Sequence, residues 1–411
     1  MKIVYLTQSY PPMLSGAALV AEGLAKGMAK CGHQVIVIAA SDTSRTYIVQ
    51  EGNLAVLRLK SLHNPLRVGQ RFLLYPRRSV MKALQEFKPE VIHTHEPLQI
   101  GWLGLEYAAW SKTPISLTIH QVPSFVASYL PDSLRSCTEA VLWVYARWLL
   151  RRFTSIITPT KTIAALLSTM TGLATNTIGY GVDLQKFRPL LPGDDETAVR
   201  QKWNLPLHVP LLLHVGRLDT DKSVERVIQG AALAMAQTEA HLLIVGDGTQ
   251  RPALIKLCNS LGISDRVHFL GYVSMAEGLP ELYRTASLFI TASEIETQGI
   301  VLLEAAASGL PLVAVRATCV PEIVRAGVNG YLAESGDLCG LGNAVNVLLR
   351  NPHKAVSMGK ASRASAEEHK IDFTVDVHEQ LYRQMLMERG AQPVETGWHG
   401  PWERVKEWRL F

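Results

Sequence analysis

Short apolar runs rich in β-branched residues alternate with helically spaced stretches along nearly the whole chain. That alternation constrains the fold more than any other feature. Lys2–Leu6 is such a run, followed by the turn-rich stretch PPMLSGAA. Ala18–Ala29 then has helical spacing, CGHQ stops it, and a second run fills Val35–Ala40. Strand, loop, helix and strand within about 40 residues form the unit of a parallel sheet. Further buried-strand runs are Val56–Leu59, Val91–Thr94, Ile115–Ile119 and Ser155–Thr158, mostly separated by helical patterns. Residues 180–203 change character: they are rich in Pro, Gly and acids and read as a linker. The pattern then restarts, with strands expected at Leu211–Val215, His241–Val245, Val267–Leu270, Leu288–Thr291 and Leu312–Val315. Helices are expected at Lys222–Ala236, Arg251–Leu261, Ile300–Ser308, 339–350 and 354–388. The expectation is an α/β protein of two Rossmann-like, doubly wound domains, residues 1–190 and 191–371, facing across a cleft at the carboxyl ends of their sheets. A C-terminal helix and tail, about 372–411, would pack back on the first domain.

Composition narrows the class. A chain of 411 residues with 47% apolar content is neither disordered nor fibrous. The five cysteines are scattered without a CxxC pair, which reads as reduced thiols and gives no metal signature. The opening residues lack a signal peptide's long apolar region, and no uncharged apolar run reaches membrane-spanning length. The expected location is cytoplasmic, either free or peripheral on the inner face of the cell membrane. Charge is uneven: residues 1–190 hold 20 Lys/Arg against 10 Asp/Glu, and residues 191–411 hold 21 against 26. Halves of opposite sign point to different partners, one of them anionic.

Two motifs carry chemistry. In HVGRLDTDK, residues 214–222, a strand ends and Arg217 and Lys222 lie five apart before a helix. An Arg fork, a mobile Lys charge and a helix N-terminus together suit a diphosphate, although a solvated charge pair has the same spacing. In ETQGIVLLE, residues 296–304, Gly299 permits a tight turn and Ile300 begins an apolar helix. The N–H groups of Gly299, Ile300 and Val301 would be free for a phosphate or sugar. Glu304 lies among apolar neighbours and needs a hydrogen-bonding partner such as vicinal hydroxyls.

In this order and spacing, the motifs resemble the retaining glycosyltransferases of the GT-B type. That large nucleotide-sugar-dependent family includes phosphatidylinositol mannosyltransferases, bacterial diacylglycerol glucosyltransferases and sucrose synthases. Also similar are Ser15-Gly16-Ala17, His120 after a strand, Tyr180-Gly181-Val182-Asp183, Val245–Gly248 and Phe269–Val273. The resemblance covers roughly residues 1–385. It implies that Arg217 and Lys222 bind the donor diphosphate and that Glu304 binds the ribose hydroxyls. It implies that Glu296 holds the transferred sugar, with Thr297, Gln298 and the backbone of Gly299–Val301 nearby. Gly271, Tyr272 and Val273 would border the base, Gly16 would let its loop approach the phosphate, and His120 would lie against the reacting sugar. The family often has two glycines in the first loop, where this chain has Gly16-Ala17. The implied reaction is retaining transfer from a nucleotide-diphosphate sugar, UDP-glucose or similar. No Asp-x-Asp lies between the phosphate elements, so cations stand where a metal would, and no metal or cofactor is expected.

The basic half gives an acceptor. Residues 63–88 hold six Lys/Arg and one Glu interleaved with Leu, Phe and Tyr. Arg67, Arg71, Arg77, Arg78 and Lys82 would meet an anionic membrane surface, although a solvated basic face has the same composition. Val141–Phe153, with Trp143, Tyr145, Trp148 and three arginines, is similar but reads better as core. Trp398, Trp402 and Trp408 make either an interfacial anchor or a strap. The Thr-Gln form of the second motif looks like that of diacylglycerol glucosyltransferases, so the expected acceptor is a lipid such as diacylglycerol. A soluble sugar, sugar phosphate or cell-wall precursor is the alternative acceptor. An inert binding module on this scaffold is the alternative of another class. No nucleic-acid motif is present, and no Gly-x-Gly-x-x-Gly follows the first strand.

Overall fold

In a computed structural model, which describes all residues except 14, 64–70, 129 and 392–411, the apolar runs become central parallel strands. The residues group into two units. One comprises Met1–Pro159, Ala164–Ile178 and the chain from Thr374; the other comprises Thr160–Ile163 and Gly179–Phe373.

The first unit contains β1 (Lys2–Leu6), β2 (Gln34–Ala40), β3 (Tyr47–Glu51), β4 (Leu54–Leu59), β5 (Ser61–His63), β6 (Arg71–Leu73), β7 (Val91–Thr94), β8 (Ile115–Thr118), β9 (Ser155–Thr158) and β10 (Asn176–Thr177). Its main sheet has the order β10-β9-β8-β7-β1-β2-β4-β3, and β5 and β6 pair separately. All main-sheet neighbours are parallel except β3 and β4. Strand order reverses between β1 and β7, which opens a crevice at their carboxyl ends. The antiparallel β3 escapes the sequence reading because it is a mostly exposed edge strand without the apolar run of a central one.

The second unit contains β11 (Leu211–Val215), β12 (His241–Val245), β13 (Val267–Gly271), β14 (Leu288–Ile290), β15 (Leu312–Val315) and β16 (Gly330–Ala333). Its order is β13-β12-β11-β14-β15-β16, all parallel, reversing between β11 and β14. Both faces are covered. Leu212, Leu242, Ile244 and Ile290 pack on Val227, Ile228, Leu341 and Val345. Leu211, Leu213, Leu243 and Phe289 pack on Leu302, Leu303 and Ala306. That period-two division explains the continuous apolar runs. Each fully buried leucine contributes about 1.5–3 kcal/mol.

Two expectations change. Residues 180–203 fold into the second unit: Tyr180 and Val182 are buried, and Glu196–Lys202 is a helix capped by Asp195. The periodic stretch 354–388 is two helices, Pro352–Glu367 and Ile371–Ala391. Val182 interrupts it, donating its N–H to His369 O at 2.8 Å and accepting from Ile371 N–H at 3.1 Å. Periodicity continues through this break because the interruption is made by a segment distant in sequence. From Thr374 the last helix belongs to the first unit, where the Tyr382 and Tyr5 hydroxyls are 3.2 Å apart.

Candidate active site

The loop after β11 carries the two cations. Its backbone is fixed by close approach: a Cβ on Gly246 would stand 1.8 Å from Gly216 O, at a backbone φ of +141°. Gly216 N–H donates to Val245 O at 3.0 Å, and Leu218 N–H to Asp247 O at 3.0 Å. Thr220–Lys222 is one 3₁₀ turn, and Ser223 adopts a left-handed conformation before helix Val224–Met235. Lys222 therefore precedes the helix rather than starting it. Its Nζ donates to Glu296 Oε1 at 2.6 Å, and both side chains are largely buried. Arg217 forks to Asp219 and to Asp221, the latter at 2.8 Å. The cations read from spacing are thus held by three carboxylates, which the sequence reading did not foresee as their partners.

The second motif follows β14. Glu296 O accepts from Thr318 Oγ1 at 2.9 Å and from the Cys319 thiol at 3.2 Å, which ties the Glu296 backbone to the loop after β15. Gly299 has φ +80° and caps helix Ile300–Ala307. Among the described residues, the N–H groups of Gly299, Ile300 and Val301 have no acceptor. Such a helix start favours an anion. Thr297 O accepts from Thr160 Oγ1 at 3.0 Å. Gln298 is buried, and its amide oxygen accepts the Tyr180 N–H, so its side chain faces the interior rather than a ligand. Glu304 is buried too, with Oε2 accepting from the Tyr283 hydroxyl at 2.8 Å. Burial pushes the Glu304 carboxyl up to about 7, against that hydrogen bond. Gly271 ends β13 with φ +70° and accepts the Gly246 N–H at 2.7 Å; Tyr272 is exposed and Val273 buried.

The first unit collects two histidines and a carboxyl at its own switch point. His120 follows β8, and its Nε2 is 2.9 Å from Nδ1 of His95, which follows β7. The two rings are stacked at 5.2 Å between centroids. Burial holds His120 down at about 3 and His95 well below the usual imidazole range. Nε2 of His95 is buried without a partner. Glu96, pushed up to about 7 by burial, accepts the Gln8 N–H at 2.8 Å. His95 and Glu96 were not singled out in the sequence, although their place just after a central strand was a usable signal. Gly16 begins helix Gly16–Lys30, which Ser15 caps through Ala18 N–H.

The expected membrane residues differ in freedom. Arg71 is tied to Ser61 Oγ at 2.7 Å, and Arg77 forms a two-pronged pair with Glu106. Arg78 is exposed, and Lys82 is exposed with Glu86 at 3.8 Å. Arg67 and the tail tryptophans lie outside the described residues. No helix among those residues is long and apolar enough to cross a membrane.

A parallel sheet of this order, with cations and acceptor-free N–H groups in the loops at its switch point, is of the doubly wound α/β class, whose ligands bind at that point. The Glycosyl transferases group 1 profile matches residues 195–365, and that of Glycosyltransferase Family 4 matches residues 14–186. The chain belongs to the group 1 family of GT-B glycosyltransferases. It is 32% identical over 193 residues to N-acetyl-alpha-D-glucosaminyl L-malate synthase of Bacillus anthracis (47% of this chain, 50% of that protein). It is 30% identical over 309 residues to a sulfoquinovosyl transferase of Arabidopsis thaliana (74% and 58%). It thus spans little more than half the length of these two relatives. Identity is 25% over 400 residues with the alpha-monoglucosyldiacylglycerol synthase of Acholeplasma laidlawii, covering 94% of this chain and 98% of that one. Among solved structures, sucrose-phosphate synthase of Thermosynechococcus elongatus superposes with a TM-score of 0.81 at 22% identity, over 94% of this chain and 100% of that one.

Proposed function

We propose that the protein is a retaining, metal-independent glycosyltransferase that moves a hexose from a nucleotide-diphosphate sugar, UDP-glucose or similar, to a membrane lipid such as diacylglycerol. The observation that carries this reading is the 2.6 Å Lys222–Glu296 pair in the same unit as the acceptor-free N–H groups of Gly299–Val301. A diphosphate would draw Lys222 and Arg217 from their carboxylates and add the helix N–H groups as donors. As the bond from the anomeric carbon to the phosphate oxygen breaks, negative charge grows on the diphosphate, and these groups stabilise it. The new bond forms to the acceptor oxygen on the same face, and the acceptor proton passes to the leaving phosphate oxygen.

Glu296, released by Lys222, accepts from hydroxyls of the transferred sugar. Glu304, oriented by Tyr283, accepts from the ribose hydroxyls. Gly271–Val273 border the base. His120 and the Gly16 loop are assigned to the sugar and the donor phosphate on family resemblance alone. The lipid acceptor draws support from the match to a monoglucosyldiacylglycerol synthase over nearly the whole chain, and from the basic first unit.

The test is incubation with lipid extract and a panel of labelled nucleotide sugars, with and without EDTA. The expected result is label in the organic phase, with the donor's anomeric configuration and no loss on chelation. Label appearing only in water-soluble product overturns the lipid acceptor, and no transfer from any donor overturns the enzyme reading.

A further inference from the structure

Helix Asp132–Leu150 has two apolar faces, and among the described residues the fold covers only one of them. Trp143, Leu149 and Leu150 are buried. Leu134, Val141, Val144 and Trp148 are exposed, by 56%, 62%, 72% and 41%. With exposed Cys137 they follow each other at steps of three, four, three and four residues. That spacing puts them on one stripe of the helix, about 20 Å long at 1.5 Å per residue. A contiguous apolar stripe of this kind marks an interaction surface.

The charges around the stripe point to its occupant. Arg147 and Arg151 are exposed at the Trp148 end, and the Arg152 guanidinium lies 3.7 Å from the Trp148 ring centre. The one carboxylate of residues 133–152 is Glu139, which faces inward: it accepts from Ser124 Oγ at 2.5 Å and from Trp143 Nε1 at 3.3 Å. The surface continues across helix Gln99–Ser111, whose Trp102 ring is 5.3 Å from that of Trp148. Glu106 of that helix is occupied by Arg77, leaving exposed Arg78 and Lys82 on the helix beyond. An apolar stripe bordered by Trp and by arginines that can reach up to the headgroups is the pattern of a helix lying in a lipid headgroup boundary.

We propose that the Leu134–Val141–Val144–Trp148 face lies in the headgroup–acyl boundary of an anionic bilayer, with Arg147, Arg151 and Arg152 at the headgroups. This deepens the proposed function and rests on its membrane acceptor, naming the face that meets the membrane. The helix read from sequence as core is therefore both core and contact surface.

The test is co-sedimentation of the full chain with vesicles of phosphatidylcholine and phosphatidylglycerol. The Val141→Glu/Val144→Glu pair and the uncharged Val141→Ser/Val144→Ser pair are compared with wild type, with melting curves to check the fold. Wild type is expected to bind. The Glu pair should lose at least about tenfold in bound fraction and the Ser pair less, since membrane affinity follows buried apolar area. Unchanged binding of both pairs overturns the inference and leaves the transferase reading standing. Failure of wild type to bind, with glycolipid still formed in detergent micelles, does the same. A wild-type dimer that both pairs dissociate makes the face a subunit contact and also overturns it. Vesicle binding lost in the Glu pair, with no sugar transfer to any acceptor, upholds the inference and sinks the transferase reading.

Discussion

Both sheets reverse their strand order at a switch point, yet the groups at the carboxyl ends there are opposite in kind. The second unit has paired ions there: Lys222 with Glu296, and Arg217 with Asp219 and Asp221. The first has neutral imidazoles, His95 and His120, and a carboxyl, Glu96, whose affinity for a proton is raised by burial. Topology fixes where a ligand binds, and the side chains fix its charge. The acidic half of the chain holds Arg217 and Lys222, each paired with carboxylates, so net charge is a poor guide to a ligand.

The contrast can be broken most directly at the ions. Lys222→Ala should cost about 2–4 kcal/mol of transition-state stabilisation, the scale of one lost electrostatic contact. Sugar-transfer kinetics near wild type would remove Lys222 from the mechanism. Next come the glycines that bring backbones together at each switch point. A Cβ at Gly246 meets Gly216 O at 1.8 Å, and one at Gly101 meets Glu96 O at 2.1 Å. Gly246→Ala and Gly101→Ala should each destabilise by about 1–3 kcal/mol, read as a lower melting midpoint. Equal midpoints in wild type and variants would mean that these loops tolerate separation.

At the neutral switch point, His95→Ala should lower kcat about tenfold, because His120 loses the hydrogen bond that orients its ring. His95→Asn, whose amide reaches the Nδ1 position, should recover much of it; an Asn variant as slow as Ala would leave His95 a packing role. The smallest effect concerns Glu304. Ionised above about 7, its carboxylate would accept from both hydroxyls of the proposed ribose; protonated below, it would lose accepting capacity. The donor KM should therefore rise as pH falls through neutrality, and Glu304→Gln should flatten that profile. Tyr283→Phe removes a bond that favours the carboxylate, so the midpoint should move up, by an amount worth about 1 kcal/mol. A downward shift would mean that Tyr283 acts otherwise.

Central strands were legible because both their faces are buried: β1, β7, β11, β12 and β15 begin and end where the apolar runs do. The edge strand β3 was not, since an exposed strand needs no such run. Spacing and an apolar setting singled out Arg217, Lys222 and Glu304, and family resemblance added Glu296. Their carboxylate and hydroxyl partners were not legible, because Lys222 meets Glu296 only through the 3₁₀ turn and left-handed Ser223. His95 becomes meaningful only once β7 and β8 are known to be neighbours. Gln298 was read as ligand-facing, but its partner is the distant Tyr180 backbone.

The last helix has a consequence for how the protein is made. Tyr5 lies on the central strand of the first sheet, and Tyr382, 377 positions later, is within reach of both the Tyr5 hydroxyl and His93 Nδ1. On a ribosome the opening strand waits while the whole second unit is synthesised and free to fold. Until that helix emerges, the first unit is an unfinished core, with two buried polar groups lacking their shared partner and Gly27 lacking Val375, which fills the space where a Cβ would stand. Of the two units, the one whose synthesis starts first is therefore completed only after the other.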